Sequence, residues 1–288
     1  QHHLHVLRED LRRAALQQVH ACMEAWADET RCGLLAWKEW SPSQGLREHA
    51  RAQGYVVLPT LPDHTLERLP ASLDEFVASL RSPYRRKYRA AAALLQGPGP
   101  LWTAGALQLE ESAFDAAAAG EFHDGYRKVM ERTRVRLETY PPAFFEGLAD
   151  CGLDVRTLRL ANGQNGQRLT ALLIPSGATL SFVLVAKQHA RYDEALYTVL
   201  LQCLVLYAIR RGFRELRRGQ TSSYAKCSIG ARPRRLETFI RMRGAFKHRA
   251  LECFGGLLFP EAAAPSAHVF KEGVAAPAAP VAREELQC

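Results

Sequence analysis

The sequence predicts an α/β fold in which helices flank a mixed, mostly antiparallel sheet. Three observations support this prediction. Helical and strand-like patterns alternate along the chain. Three short strand-like segments joined by turn sequences lie between residues 154 and 185. A strongly apolar helix from Tyr192 to Arg211 follows them and leads into a basic strand, Phe213 to Arg218.

The first sixty residues alternate between helix and strand. Apolar spacing predicts a helix over residues 6–31, and the segment CGLLAWKEW predicts a strand over 32–40. A short helix over 46–53 ends before Gly54, and YVVLPT predicts a strand over 55–60. Pro62, Asp63 and Pro70 favour turns, so residues 61–70 are predicted to form a loop.

A capping pattern opens the next helical segment. Ser72 precedes Glu75 by three residues, as in a capping box, and Pro83 is predicted to divide the segment into two helices. Further along, the patterns predict a strand over 101–111, a helix over 114–137 that is interrupted near Gly120 to Gly125, and a helix from Pro141. The predicted strands that follow are 154–160, 168–174, 179–185, 213–218 and 236–242.

The charge is concentrated in one stretch. The chain of 288 residues carries a formal charge of +8, and residues 210–249 hold 13 Lys or Arg against two acids, which is +11. The remainder therefore carries 8 − 11 = −3. A concentrated positive stretch favours an anionic partner such as nucleic acid, a phosphate-bearing cofactor or an anionic lipid surface. A solvated basic face is the equally simple alternative.

The cysteine usage indicates a reducing compartment. The seven cysteines are odd in number and contain no CxxC pair. No signal peptide and no run of 18 apolar residues is visible, so the sequence predicts a cytoplasmic protein. The ten histidines are dispersed and show no metal-ligand spacing, so no metal site is predicted.

The segment DEALYTVLLQCLVLYAIRRGFRELRRGQTSSYAKCSIGA resembles the C-terminal half of a GNAT-fold domain. It is most similar to the FemABX and BioF2-like branch of that superfamily. The resemblance implies an acyltransferase that forms an amide bond. It also implies that residues 101–260 form a GNAT-like half, that residues 1–96 form an N-terminal α/β half, as in a reduced tandem GNAT pair, and that 261–288 is a flexible Ala/Pro-rich tail.

The resemblance leaves the acyl donor open. Coenzyme A-dependent GNAT enzymes bind pyrophosphate through a glycine-containing loop before this helix, and AKQHARYDEALY contains no glycine. FemABX proteins, which use aminoacyl-tRNA, also lack that loop. Aminoacyl-tRNA is therefore the favoured donor and an amine the acceptor. An acyl-CoA or a carrier protein as donor, and a non-catalytic module that binds phosphate or nucleic acid, are the alternatives.

Lys226 is the leading catalytic candidate, because FemABX proteins place a lysine at the acyl-transfer centre in this segment. A lysine there would stabilise the oxyanion; the alternative is a lysine that only forms an ion pair. Tyr224 is the candidate proton donor or shape-forming residue of the turn, with core packing as the alternative. Cys227, beside a cation, is a weaker nucleophile candidate. Thr221 and Ser222 also suit helix capping. The candidate substrate-binding residues are Arg86, Arg89, Lys187, Tyr192, Tyr197, Gln220 and Thr221.

Overall fold

The computed structural model describes residues 11–95, 101–133, 138–188, 194–261, 265 and 267–271. Within these residues, nine strands form a mixed, mostly antiparallel sheet flanked by helices, which confirms the predicted fold class. The chain divides into two compact units. The first lies within residues 1–63 and 234–264, and the second within residues 64–233 and 265–288.

The bounds of the helices follow the predicted pattern closely. They are α1 Arg12–Glu29, α2 Gln44–Ala52, α3 Leu73–Ser79, α4 Ser82–Leu94, α5 Ala116–Met130, α6 Pro142–Asp150, α7 Glu194–Arg210, α8 Ser223–Cys227 and α9 Ala245–Leu258. The strands are β1 Leu34–Trp40, β2 Val56–Leu66, β3 Leu101–Ala104, β4 Leu107–Ala113, β5 Arg156–Asn162, β6 Gln167–Ser176, β7 Thr179–Lys187, β8 Glu215–Arg217 and β9 Arg232–Met242.

The first unit contains α1, β1, α2, α9 and most of β2 and β9. Strand β1 pairs antiparallel with β9. The main apolar cluster of the first unit includes Trp37, Tyr55 and Phe239. The Trp37 indole donates a hydrogen bond of 3.2 Å to the Tyr55 hydroxyl. The buried tyrosine hydroxyl is thereby satisfied without water.

In the second unit the strand order is β8-β7-β6-β5-β4-β3. Strands β5, β6 and β7 form the predicted antiparallel meander. Side chains alternate across β6: Leu169 and Leu173 join the apolar cluster that contains α4 and α7, whereas Leu172 joins the one that contains α5 and α6. Because successive side chains of a strand point to opposite faces, the two helix pairs cover opposite faces of this sheet.

Helix α7 is buried on nearly every side, as its apolar sequence predicts. Every residue from Leu200 to Ile209 is buried. The predicted cap of α3 is also present, since the Ser72 hydroxyl accepts a hydrogen bond of 3.1 Å from the Glu75 amide.

Three predictions of secondary structure were wrong. Residues 61–66 continue β2, because extended backbone tolerates Pro62 and because Thr65 and Leu66 pair with β8. The predicted strand over 101–111 is a hairpin, since Gly105 has a φ of +59° and turns the chain between β3 and β4. Helix α5 is continuous through Gly120 to Gly125.

Two residues of the Ala/Pro-rich segment belong to the second unit's core. Val269 is buried, and Phe270 forms a bridge with Leu80 and packs near the ring of Phe76, with centroids 6.2 Å apart. These residues contact α3 closely, so the segment is fixed at this point.

Candidate functional site

The parallel strands β7 and β8 separate after three paired residues. The pairs are Thr179–Glu215, Leu180–Leu216 and Ser181–Arg217. Strand β8 ends at Arg217, whereas β7 continues to Lys187. Residues 182–187 therefore run beyond the end of β8 and leave a gap in the ladder.

Lys226 lies in the turn that follows β8. Gly219 has a φ of +71°, a conformation that glycine adopts without strain, and it reverses the chain toward α8. The Lys226 side chain is 2% exposed. Its ammonium group donates hydrogen bonds to the Arg218 carbonyl and, at 3.1 Å, to the Gly219 carbonyl. The backbone turn thus fixes a buried positive charge beside the gap.

His64 contacts the same turn from β2. Its Nδ1 lies 3.0 Å from the Gly219 carbonyl oxygen, so Nδ1 carries the proton and donates it. Burial lowers the pKa of His64 to about 4; the hydrogen bond to Gly219 opposes this shift, and the nearby cations Lys226 and Arg218 add to it. His64 is therefore neutral at pH 7.

Arg218 is the most deeply buried charge in this region. It is 1% exposed, and its Nε, Nη1 and Nη2 atoms make no hydrogen bond to any residue that the structure describes. Burial lowers the pKa of the guanidinium to about 10, partly opposed by the neighbouring Tyr88, Tyr197 and Cys227. The group is still charged at neutral pH. The Tyr88 hydroxyl donates instead to the Ile229 carbonyl at 2.9 Å.

The predicted site residues are brought together only in part. Tyr197, 7% exposed on α7, lies near Arg218 and joins the buried cluster around the turn. Tyr224 is 79% exposed, whereas Lys226 is buried, so their side chains occupy different environments. Gln220 is half-buried and Thr221 is exposed, both in the turn itself.

Lys187 is the last residue of β7. Lys187 is 2% exposed, and burial lowers the pKa of its ammonium group, with Arg132 lowering it further. Tyr192 lies outside the described residues, as does the predicted capping residue Asp193. The roles of all these residues stay predictions.

An arginine-lined cleft lies at the start of α4. It has a volume of about 410 Å³ and is lined by Ser82, Pro83, Arg85, Arg86 and Arg89. None of the three guanidinium groups pairs with an acidic side chain within the described ranges. Pro83 occupies the first turn, where its missing N–H is not needed, and the first turn contains no acid. The helix dipole adds positive potential at this end.

The basic stretch 210–249 does not form a free cationic face. Arg218 and Lys226 are buried. Six other cations of the stretch form ion pairs with acids of the same unit, namely Arg211, Arg217, Arg235, Arg241, Arg243 and Arg249. The structure therefore provides unpaired arginines at α4 rather than a continuous surface in this stretch.

Two expectations at α8 were wrong. Burial raises the pKa of the Cys227 thiol despite the nearby Arg218 and Lys226, so Cys227 is not an activated nucleophile. Ser222 occupies the N-cap position of α8 with a φ of +60°, but its side chain makes no capping hydrogen bond.

In the described part of the chain, no three His, Cys, Asp or Glu side chains cluster as metal ligands. Nor does any helix there combine the length and apolar character needed to cross a bilayer.

Sequence reasoning missed Arg218, His64 and Arg85. A signal for Arg218 was present, since period-2 alternation from the buried Leu216 places residue 218 on the same inward face. His64 was hidden by the prediction of a loop over 61–70. Arg85 was recognised as sharing a helix face with Arg89 but was not selected.

Solved structures with a similar fold include FemX, with a TM-score of 0.56 at 13% identity over 84% of this chain and 80% of that chain. The C-terminal domain of a putative lysylphosphatidylglycerol synthetase from Agrobacterium fabrum has a TM-score of 0.54 at 13% identity, over 90% of this chain and 82% of that chain. A tandem GNAT protein from the clavulanic acid biosynthesis pathway has a TM-score of 0.50 at 15% identity, over 84% of this chain and 73% of that chain. No protein-family model and no curated sequence matches the chain significantly. The chain therefore has a GNAT-like fold similar to that of FemX.

Proposed function

We propose that this protein is an N-acyltransferase that moves an aminoacyl group from aminoacyl-tRNA to an amine and forms an amide bond. The observation that carries the proposal is the separation of β7 and β8, with the Lys226 ammonium group fixed in the turn just beyond β8. The folds of FemX and of the C-terminal domain of a putative lysylphosphatidylglycerol synthetase are similar to the fold of this chain. The name of the second protein includes lysyl, which is an aminoacyl group.

The reaction requires an amine to attack the ester carbonyl that joins the amino acid to the tRNA ribose. The carbonyl oxygen becomes negatively charged, the amine loses a proton, and the ribose hydroxyl leaves with a proton. A positive charge held in place before the reaction stabilises such an oxyanion without reorganisation. In this proposal Lys226 supplies that charge, because two backbone carbonyls hold its ammonium group in a dry environment.

The α4 cleft supports a phosphate-bearing donor. Arginine forks bind phosphate oxygens in pairs, and the start of a helix favours an anion. Arg85, Arg86 and Arg89 line one cleft and pair with no acid in the described part of the chain. We place backbone phosphates of the donor there. Coenzyme A and carrier-protein donors also carry phosphate, and the first experiment compares aminoacyl-tRNA with a coenzyme A donor.

The first experiment measures donor binding at two salt concentrations. Aminoacyl-tRNA is expected to bind with strong salt dependence, and acetyl-CoA is expected not to compete. Replacing the three cleft arginines by Gln should reduce the slope of log K against log salt by about 2–3. The matched control is Arg127→Gln on α5, an exposed arginine outside the cleft, which should leave the slope unchanged. Binding of acetyl-CoA instead would overturn the choice of donor.

The second experiment measures product formation. The protein, aminoacyl-tRNA and a pool of amines are incubated, and new amides are detected by mass spectrometry. Lys226→Met should lower the rate by about 100-fold or more if the ammonium group stabilises the oxyanion. Circular dichroism must show an unchanged fold, because the substitution also removes two hydrogen bonds. A folded Lys226→Met protein with full turnover would remove Lys226 from the mechanism.

A further inference from the structure

Within the part of the chain that the structure describes, the Arg218 guanidinium is a buried cation that pairs with no acidic side chain. Its three nitrogens make no hydrogen bond to these residues, although the residue is 1% exposed. Transferring a charge into the protein interior is strongly unfavourable unless the charge is paired and hydrogen-bonded. Arginines in such positions normally meet a carboxylate or a phosphate in fork geometry. Because no acceptor of the described residues meets these nitrogens in hydrogen-bond geometry, we consider a ligand oxygen as the partner of Arg218.

The described neighbours of Arg218 that its hydrogen bonds and electrostatics identify are cationic or neutral at pH 7. His64 faces it across the β2–β8 ladder, where the Arg218 amide donates to the His64 carbonyl at 2.9 Å, and this histidine is neutral. Lys226 adds a second positive charge, since its ammonium group binds the backbone carbonyl of Arg218 itself. Tyr88 and Tyr197 are the neighbouring phenols that contribute to the Arg218 environment.

Arg218 also occupies a defined place in the site. It is the first residue after β8, and the last β7–β8 pair is Ser181–Arg217, so it lies where the two strands separate. The Lys226 ammonium group, which we propose stabilises the oxyanion, donates hydrogen bonds to carbonyl groups of the same turn. The two cations are therefore held by the same turn at the point where the strands separate.

We propose that Arg218 binds a carboxylate of the substrate and thereby determines which substrates are accepted. A carboxylate is planar, carries one negative charge and matches the guanidinium fork with two oxygens. This proposal rests on the proposed acyl transfer, because it assigns the carboxylate to a substrate of that reaction. The carboxylate belongs either to an acidic acyl group of the donor or to the amine acceptor, and both sources present the same chemistry to Arg218.

The first test uses acetate as a probe and does not depend on catalysis. Urea unfolding midpoints are measured with increasing sodium acetate, with sodium chloride keeping the ionic strength constant, and with acetamide as the neutral isostere. The wild-type midpoint is expected to rise and saturate with acetate but not with acetamide. Arg218→Met should show no acetate response, and Arg218→Lys should need at least about ten times more acetate. Arg127→Met, which removes an exposed charge, should respond like wild type.

Three results would overturn the proposal. They are a wild-type protein that does not respond to acetate, an Arg218→Met protein that responds as wild type does, and an Arg218→Met protein that cannot fold. The last result would mean that the guanidinium serves the fold, since removing an unpaired buried charge should not lower the unfolding midpoint.

The source of the carboxylate is identified in the transfer assay. Donors charged with glutamate are compared with donors charged with glutamine, and amino acid acceptors with their amides. Wild type should prefer the carboxylate at one of these positions by at least tenfold, and Arg218→Met should lose that preference. Transfer without any preference contradicts the role of Arg218. An acetate effect without transfer from any donor contradicts the proposed function and leaves the carboxylate site standing.

Discussion

Helix α5 approaches β7 closely at Gly125. A Cβ atom added there would lie 2.9 Å from the Ala186 Cβ and 3.0 Å from the Lys187 carbonyl oxygen. Real Cβ atoms essentially never show a contact as short as the one to Ala186, so Gly125→Ala must push α5 away from the end of β7. That end is the part of β7 without a β8 partner, which lines the proposed donor gap.

The expected cost follows from two opposing effects. Overpacking a close contact costs about 1–3 kcal/mol. Alanine in place of glycine inside a helix gains about 0.5–1 kcal/mol. Gly120 lies on the same helix, is exposed, and has no atom within 4 Å of an added Cβ, so Gly120→Ala receives only the gain. The two variants should therefore differ in unfolding free energy by about 1–3 kcal/mol, with Gly125→Ala the less stable.

Urea unfolding of the two variants measures this difference directly, because both changes add one methyl group to the same helix. Gly125→Ala should also weaken donor binding, whereas Gly120→Ala should not. Equal unfolding midpoints would refute the close approach of α5 to β7. A difference in stability with equal donor binding would instead show that the end of β7 does not shape the donor site.

Two predictions concern pH. The folded state keeps His64 neutral with a pKa of about 4, below the usual 6.5. The stability that this neutral histidine contributes is therefore present above pH 6.5 and is lost as pH falls toward 4, by about 3 kcal/mol. The loss should be much smaller in His64→Gln, and a His64→Gln profile identical to that of wild type would contradict this. For Glu111, burial raises the pKa, but hydrogen bonds from Arg211, Tyr207 and Arg156 outweigh it and lower the pKa from 4.5. Stability from this carboxylate is thus lost as pH falls below 4.5. Glu111→Gln should cost about 1–3 kcal/mol at pH 7 and flatten the profile below pH 4.5, as measured by urea unfolding.

The elements that were predicted correctly have strong local signals. Helix α7 has apolar residues on every face, and the β5–β7 meander has turn sequences between its strands. The errors at β2 and at Gly105 arose where tertiary pairing decides the structure. Pro62 reads as a breaker in isolation, yet β2 gains partners on β8 that no local pattern reveals.

The candidate site was predicted less completely than the fold. Lys226 was identified because a sequence motif surrounds it, and Arg86 and Arg89 because arginine forks on a helix suit phosphate or carboxylate. Arg218 stands among many arginines in the sequence, and only the register of β8 against β2 and β7 shows that it points into the core. Several ion pairs of the basic stretch are equally invisible, because the acids that pair with Arg211, Arg241 and Arg243 lie far away in the chain.

The two units are both discontinuous in sequence, which has a consequence for biosynthesis. The first unit needs β9, whose Phe239 completes the cluster around Trp37. The second unit needs Val269 and Phe270, which fill its core beside Gly230. Since domains tend to fold as they emerge from the ribosome, a chain with this layout cannot finish either unit until residues beyond 233 have been made. The nascent chain therefore exposes two unfinished cores for most of its translation, and a chaperone that binds apolar segments should associate with it during that period.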